Sequence, residues 1–436
     1  MAYEHNIKQK IATHLLADGM DIVVDFEHSE GSWLVDLRNG DRYLDCFSMF
    51  ASMAVGFNHP ELLAIQHYLG RMAVQKPANS DCYSAPMAEF VETFSRYAVP
   101  QYLPHAFFIE GGALGVENCL KAAFDWKVQK NFANGIGREK GQKIIHFQQA
   151  FHGRTGYTLS LTNTSDPRKT QYFPKFDWPR IINPKLSFPL TRQKLQKTEE
   201  QEQQAVADIY QWLEKDPHDI AAIIIEPIQG EGGDNHFRHE FFKKLRRICD
   251  EHELLLIFDE VQTGIGLTGK FWAHEHCAVK PDLLAFGKKT QVCGALGGTR
   301  IDEVERNVFT EPTRINSTFG GNLIDMIRCS TILKIIAKEQ LVDNARLRGN
   351  ELLQGLKQLA LEFPSLVSNV RGLGLMCAFD LPDGKIRNDF IGKALAEKIL
   401  LIGCGEKSIR FRPHLIISAN EVKLLLERLA KALHRC

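Results

Sequence analysis

Four short apolar runs constrain this chain more than anything else in it: residues 143–147, 221–225, 254–258 and 283–286. A strand with one wet face alternates polar and apolar side chains, whereas a strand covered on both faces is apolar almost throughout. These runs are of the second kind. They alternate with helix-like segments such as 113–126 and 241–251. The pattern predicts an α/β fold with a mostly parallel central sheet and helices on both faces.

A chain of 436 residues is too long for one hydrophobic core. Its texture changes after about residue 325: a long helical pattern over 325–363 precedes strand-like stretches at 372–381 and 409–417. The last helix begins at a capping box, Ser418 with Glu421 three residues on. Residues 20–47 read as short strands with a turn at Asn39-Gly40. The expected division is an N-terminal segment (1–75) that contributes to a small domain, a large domain (76–325), and a C-terminal small α+β domain (326–436). Two polar stretches, 127–142 and 192–204, read as solvent-exposed.

Lys plus Arg and Asp plus Glu both number 53, a balance that predicts no nucleic-acid or membrane partner. The ten cysteines form no Cys-x-x-Cys pair and are expected to be free thiols in a reducing compartment; no metal site is expected. Residues 1–21 lack the apolar core of a secretory leader, and no apolar run reaches the length of a membrane span, so a cytoplasmic location is expected.

In open parallel sheets, ligands bind beyond the C-terminal ends of the strands. After the first run comes Phe151-His152-Gly153-Arg154, and after the second Glu226-Pro-Ile-Gln-Gly-Glu231-Gly-Gly. After the third comes Asp259-Glu260-Val261-Gln262, and after the fourth Gly287-Lys288-Lys289. An aromatic, an arginine, several carboxylates and a lysine at adjacent strand ends suit a cofactor that needs an amine at its aldehyde and an anion at its ring nitrogen. A competing motif, Gly264-Ile-Gly-Leu-Thr-Gly269-Lys270, has most of a P-loop. Phe271 stands where magnesium would need a hydroxyl, and no strand feeds directly into Gly264, so a nucleotide-hydrolase reading is rejected.

At Asp259-Glu260-Val261-Gln262 and at Asp282-Leu-Leu-Ala-Phe-Gly-Lys288 the sequence resembles the class III, or ω-, aminotransferases, pyridoxal 5'-phosphate (PLP) enzymes of fold type I. The likeness spans nearly the whole chain and is greatest to the branch that acts on the ε-amine of L-lysine. It is carried by Asn79-Ser-Asp-Cys-Tyr-Ser, Lys175-Phe-Asp-Trp-Pro-Arg180, Gly230-Glu-Gly-Gly-Asp, Gly287-Lys-Lys-Thr-Gln-Val-Cys-Gly294 and Asn316-Ser-Thr-Phe-Gly-Gly-Asn322. The resemblance implies transfer of that amine to 2-oxoglutarate. Ornithine, acetylornithine or 4-aminobutyrate as donor, or an aminomutase, are the alternatives.

The resemblance also implies residue roles. Lys288 binds the cofactor aldehyde and shuttles a proton, and Asp259 keeps the ring nitrogen protonated. Gln262 donates to the phenolate oxygen, and Phe151 and Val261 hold the ring between them. Gly112 and Ala113 offer backbone N–H groups to the phosphate at a helix start. Ser317 and Thr318 complete that phosphate site from the other subunit of a homodimer with shared active sites. Arg410 takes the carboxylate beside the reacting carbonyl, Glu231 pairs with Arg410 while the amine donor is bound, and Arg154 takes the far carboxylate. Asn316 is a further substrate contact. Two features stand apart: Gly115 in the first turn of a helix, and His414 where relatives carry a second proline. The Gly287-Lys288 register predicts that borohydride reduction of the cofactor-loaded protein, followed by peptide mapping, labels Lys288; label on Lys289 would overturn the assignment.

Overall fold

The computed structural model describes residues 7–436; the first six residues of the expected N-terminal segment lie outside the described residues. The central sheet has seven strands, in the order His105–Ile109, Cys293–Gly297, Leu283–Phe286, Leu255–Asp259, Ile220–Ile225, Lys143–Phe147 and Arg180–Ile181. The last five run parallel, while Cys293–Gly297 is antiparallel to both its neighbours. All four apolar runs are strands here. The two faces divide by the strand period of two: Ile224, Ile257 and Ala285 pack on Val116, Leu120 and Ala123, and Ile223, Leu256 and Phe258 pack on Phe241, Leu245 and Ile248.

A sheet of Val24–Glu30, Trp33–Asp36 and Arg42–Asp45 is completed by Ile399–Leu400, parallel to the third strand. The turn between the second and third strands passes through Gly40 at φ 73°. A third sheet joins Ser368–Leu373, Met376–Asp380, Ser408–Phe411 and Ile402–Cys404. The helix Ala419–Leu433 starts at Ser418, whose hydroxyl accepts from the Glu421 N–H in a full capping box.

Several expectations are corrected. The stretch 127–142 is not simply exposed, because the helix that starts at Gly112 runs on to Ala133. Lys127 is buried with its ammonium on the Glu253 carbonyl at 2.9 Å, and the Asn131 amide donates to Lys140 and His218 carbonyls. Residues 192–204 belong to the helix Arg192–Lys215, whose Glu202 is fully buried between Arg238 and Lys244. Polar side chains were read as solvated, yet tertiary partners satisfy them. The long helix over 325–363 is two helices, Leu323–Lys338 and Leu341–Glu362, broken where Gln340 takes a left-handed φ of 52°. The strand in 409–417 stops at Phe411, since the Arg412 N–H leaves the sheet for the Cys46 carbonyl at 2.8 Å and Pro413 has no N–H to give. In 372–381 the chain turns at Gly374, so two strands stand where one was expected. The P-loop-like residues 264–269 are buried turns followed only by a single 3-10 turn, Ala273–His276, and a Cβ on Gly264 would lie 2.5 Å from Trp272.

Gly115 has a packing reason. A Cβ there would lie 2.7 Å from the Gly294 carbonyl oxygen, so the helix approaches the strand Cys293–Gly297 more closely than any larger residue permits. Gly115→Ala gains about 1 kcal/mol of helix propensity but forces helix and strand apart at a cost of about 1–3 kcal/mol. Chemical denaturation should show a net loss of stability; a more stable variant would mean that the contact gives way freely.

Candidate active site

The C-terminal ends of the parallel strands open into a cavity of about 450 Å³. Its lining includes Gly112, Ala113, Phe151, Glu231, Asp259, Val261, Gln262 and Lys288, eight of the residues singled out in the sequence. Register brings them together: Asp259 pairs with Ala285, so Asp259 and Gly287-Lys288 leave the sheet side by side.

The helix Gly112–Ala133 points its N-terminus at this cavity. Gly111 reaches φ 101° to start it, and the first hydrogen bonds return from Leu114 and Gly115 to the Gly111 carbonyl. The Gly112 and Ala113 N–H groups precede these and have no partner within the helix. A Cβ on Gly112 would meet Val261 Cγ1 at 2.6 Å, so only glycine lets the helix start lie this close to the Asp259 turn.

Lys288 and Lys289 part ways. Lys288, at a left-handed φ of 54°, turns into the cavity. Lys289 is buried behind it with its ammonium on the Gln262 carbonyl at 2.8 Å. Burial holds the Lys288 amine below the ordinary lysine value; the Asp259 charge opposes this shift and the Arg410 charge adds to it. A buried amine that loses its proton readily is what a nucleophile and proton carrier needs.

Asp259 accepts from the Val261 N–H at 3.0 Å and bonds His152 Nδ1 at 2.7 Å. Burial opposes charge on His152, but the Asp259 bond and the charges of Asp259 and Glu226 outweigh it and raise the imidazole pKa. Glu226 accepts from the Phe151 N–H at 2.9 Å and the Gly230 N–H at 3.0 Å. Burial raises its pKa to about 7, with the Asp259 charge adding to the rise and His152 opposing it. His152 and Glu226 stand in the strand-end motifs, but nothing local in the sequence gave them roles.

Arg412 was likewise missed. Its guanidinium donates from Nε at 3.0 Å and Nη2 at 2.9 Å to Gln262 Oε1 and grips Asp234 with both terminal nitrogens. Arg412 and Asp234 are both buried. With the Gln262 oxygen engaged, its amide N–H₂ is the end left for the cavity. Gly230 and Gly232 serve the same packing: a Cβ would lie 2.4 Å from Gln262 Oε1 and 2.0 Å from the Gln149 carbonyl oxygen, respectively.

Arg410 lies on the strand Ser408–Phe411 and is 4% exposed. Its guanidinium sits over the Phe50 ring at 5.9 Å and makes no hydrogen bond to a described residue. Phe50 belongs to a run of four left-handed residues, Ser48 to Ala51, with φ from 41° to 66°. Such backbone costs about 1–2 kcal/mol per residue and persists only if held. Asp45 accepts from the Phe47 and Ser48 N–H groups, Ser48 donates to the Arg412 carbonyl, and His414 bonds the Met53 carbonyl at 2.7 Å. His414 is therefore a buried tie to this run.

Glu231 lines the cavity without the expected contact, and other expected residues lie outside it. Glu231 does not pair with Arg410 in this structure; its Oε1 accepts from Thr164 at 2.8 Å and Lys169 at 2.5 Å. Arg154 is exposed next to Gly153, and Asn316, Ser317 and Thr318 lie on a segment outside the cavity lining.

The open N–H groups at the helix start, the carboxylate at a strand end, the oriented Gln262 amide and the Lys288 amine form the donor set that pyridoxal 5'-phosphate requires, so the residues present fit this cofactor. The raised Glu226 pKa has a checkable consequence. A carboxyl whose folded pKa exceeds its ordinary 4.5 contributes stability that is full below 4.5 and is lost as pH rises through about 7. The stability of wild type relative to Glu226→Gln should therefore fall across that window in pH-dependent melts; a flat difference would show that Glu226 titrates normally.

The sequence model of the family described as aminotransferase class-III matches residues 16–433. An L-lysine-epsilon aminotransferase of Mycobacterium tuberculosis is 49% identical over 430 residues, covering 98% of this chain and 95% of its own. One from Amycolatopsis lactamdurans is 47% identical over 432 residues, covering 98% and 95%. The solved structure of a lysine aminotransferase from M. tuberculosis superposes with a TM-score of 0.97 at 48% identity, over 99% of both chains. No helix among the described residues is long and apolar enough to cross a membrane. Matched over almost its full length in sequence and in fold, this chain belongs to the class-III aminotransferases, which are PLP-dependent enzymes.

Proposed function

We propose that the enzyme moves the terminal (ε) amino group of L-lysine to 2-oxoglutarate, giving L-glutamate and 2-aminoadipate 6-semialdehyde, which cyclises to piperideine-6-carboxylate. The observation that carries the reading is the meeting of Lys288, Asp259 and Gln262 in one cavity, with the buried Arg410 guanidinium, which makes no hydrogen bond to a described residue, close enough for its charge to act on Lys288. Lysine as the donor rests on the relatives at 47–49% identity, which are named for it.

When bound, the cofactor supplies an aldehyde that condenses with amines and a protonated ring that delocalises the electron pair left on the substrate carbon. Lys288 Nζ would hold that aldehyde and, as a free amine, would take the proton from the amine-bearing carbon of the substrate. Asp259, oriented by His152, would hold the proton on the ring nitrogen. Gln262, fixed by Arg412, would donate to the phenolate oxygen. Phe151 and Val261 would bracket the ring, and Gly112 and Ala113 would bind the phosphate through their N–H groups.

Arg410 receives the carboxylate beside the acceptor's carbonyl, since a buried guanidinium without a partner is costly until an anion reaches it. Glu231 covers Arg410 when the amine donor is bound, so the site serves both substrates in turn. Arg154 and Asn316 take the far carboxylate. Ser317 and Thr318, outside their own chain's cavity, complete the phosphate site of a partner subunit in a homodimer. We also take residues 1–75 and 326–436 as the small domain and 76–325 as the cofactor-binding domain. A cytoplasmic setting suits ten free thiols.

Lysine carrying nitrogen-15 only at the ε position tests the reaction. The label should appear in glutamate. Label kept in the ring product would mean α-transamination, and label moved within the carbon skeleton would mean an aminomutase. One methylene is worth about 1–3 kcal/mol of discrimination, so ornithine should react weakly; a preference for ornithine or 4-aminobutyrate would reassign the donor.

A further inference from the structure

The Glu231 backbone is tied down, and its carboxylate is bonded on one side only. The Gly405 N–H donates to the Glu231 carbonyl at 2.7 Å, and the flanking glycines Gly230 and Gly232 are locked against Gln262 and Gln149. The carboxylate, 16% exposed, lies between two cavities: the one that holds Lys288, and a neighbouring one of about 540 Å³ lined by Lys169, Arg387 and Cys404. It uses one oxygen only. Oε1 takes both Thr164 and Lys169, while Oε2 is buried with no partner among the described residues. The Arg410 guanidinium is buried and has no hydrogen-bond partner among the described residues, and the Glu231 charge reaches it. One carboxylate is thus bonded to one cation while its charge reaches a second.

We propose that Lys169, with Thr164, is the parking site that holds Glu231 off Arg410, and is therefore a specificity-determining positioning residue. The proposal rests on the reading that Arg410 binds the acceptor's near carboxylate. While Glu231 is parked, Arg410 is open to that carboxylate, and the Lys169 charge offsets the anion that would otherwise face it. If the parking site is weakened, Glu231 returns to Arg410 and closes it. The acceptor half-reaction then suffers, and the donor half-reaction, which runs with Arg410 covered, does not. Lys169 is 35% exposed on a short helical turn, so its replacement leaves the core intact.

Single-turnover kinetics of the two half-reactions on the holoenzyme test this. A partly exposed ion pair is worth up to about 1 kcal/mol, or about fivefold. Lys169→Met should lower kcat/KM for 2-oxoglutarate by about three- to fivefold and leave the lysine half-reaction within about twofold. Lys169→Arg should restore it. In a Glu231→Gln background, Lys169→Met should have no further effect, because the residue acts only through that carboxylate. An equal loss in both half-reactions, or the same loss without Glu231, would overturn the parking role. Arg410→Met separates the two levels. If it abolishes use of 2-oxoglutarate while Lys169→Met changes nothing, the parking role alone fails; if it spares that use, the reading of Arg410 fails and the parking role with it.

Discussion

No water reaches the strands Ile220–Ile225, Leu255–Asp259 and Leu283–Phe286, so their peptide groups must find partners along the ladder. That requirement fixes their register, and the register fixes the site. A slip of one residue would turn each strand's buried side chains to the opposite face. It would also separate the Asp259 turn from Gly287-Lys288. Everything at the cavity hangs from these ladders, and the helix that brings its N-terminus to them can do so only where Gly112 and Gly115 leave out a side chain.

Around this frame, the residues that orient the chemistry outnumber those that perform it. Asp259 is held by His152 and the Val261 N–H, and Gln262 by Arg412, which is held in turn by Asp234. Buried charges of this kind are costly singly and tolerable when paired and fully hydrogen-bonded; removing one partner of such a pair costs about 3–5 kcal/mol. Pairing also restricts each group to a single orientation, which is what a cofactor site needs. The left-handed run from Ser48 to Ala51 is a similar case: strained backbone is kept because Asp45, Arg412 and His414 all hold it, and it sets Phe50 against Arg410.

Buried polar atoms without partners among the described residues are the exceptions, and Glu231 Oε2 and Arg410 Nε are two of them, at the place proposed to receive two different substrates in turn. A site that accepts a cationic amine and then a dicarboxylate cannot satisfy all its charges in both states. Part of the polar capacity left unused falls on these two residues; on the cofactor side His152 Nε2 is also buried without a partner among the described residues.

The sequence by itself determined the α/β class, the four central strands, and the strand-end motifs with Phe151, Asp259, Val261, Gln262 and Lys288 among them. It could do so because a strand buried on both faces must be apolar throughout, and because ligand-binding residues follow such strands within a few positions. Only the tertiary structure decided which polar residues leave solvent. Lys127, Glu202, His152 and Arg412 are polar by local pattern and buried by distant partners. It alone decided the break at Gln340, the need for glycine at position 115, and the bond of Glu231 to Lys169 in place of Arg410. Each of these is set by atoms far apart in the chain. Local periodicity reports what a residue can tolerate, and three-dimensional contact decides which hydrogen bonds and charges it has within reach.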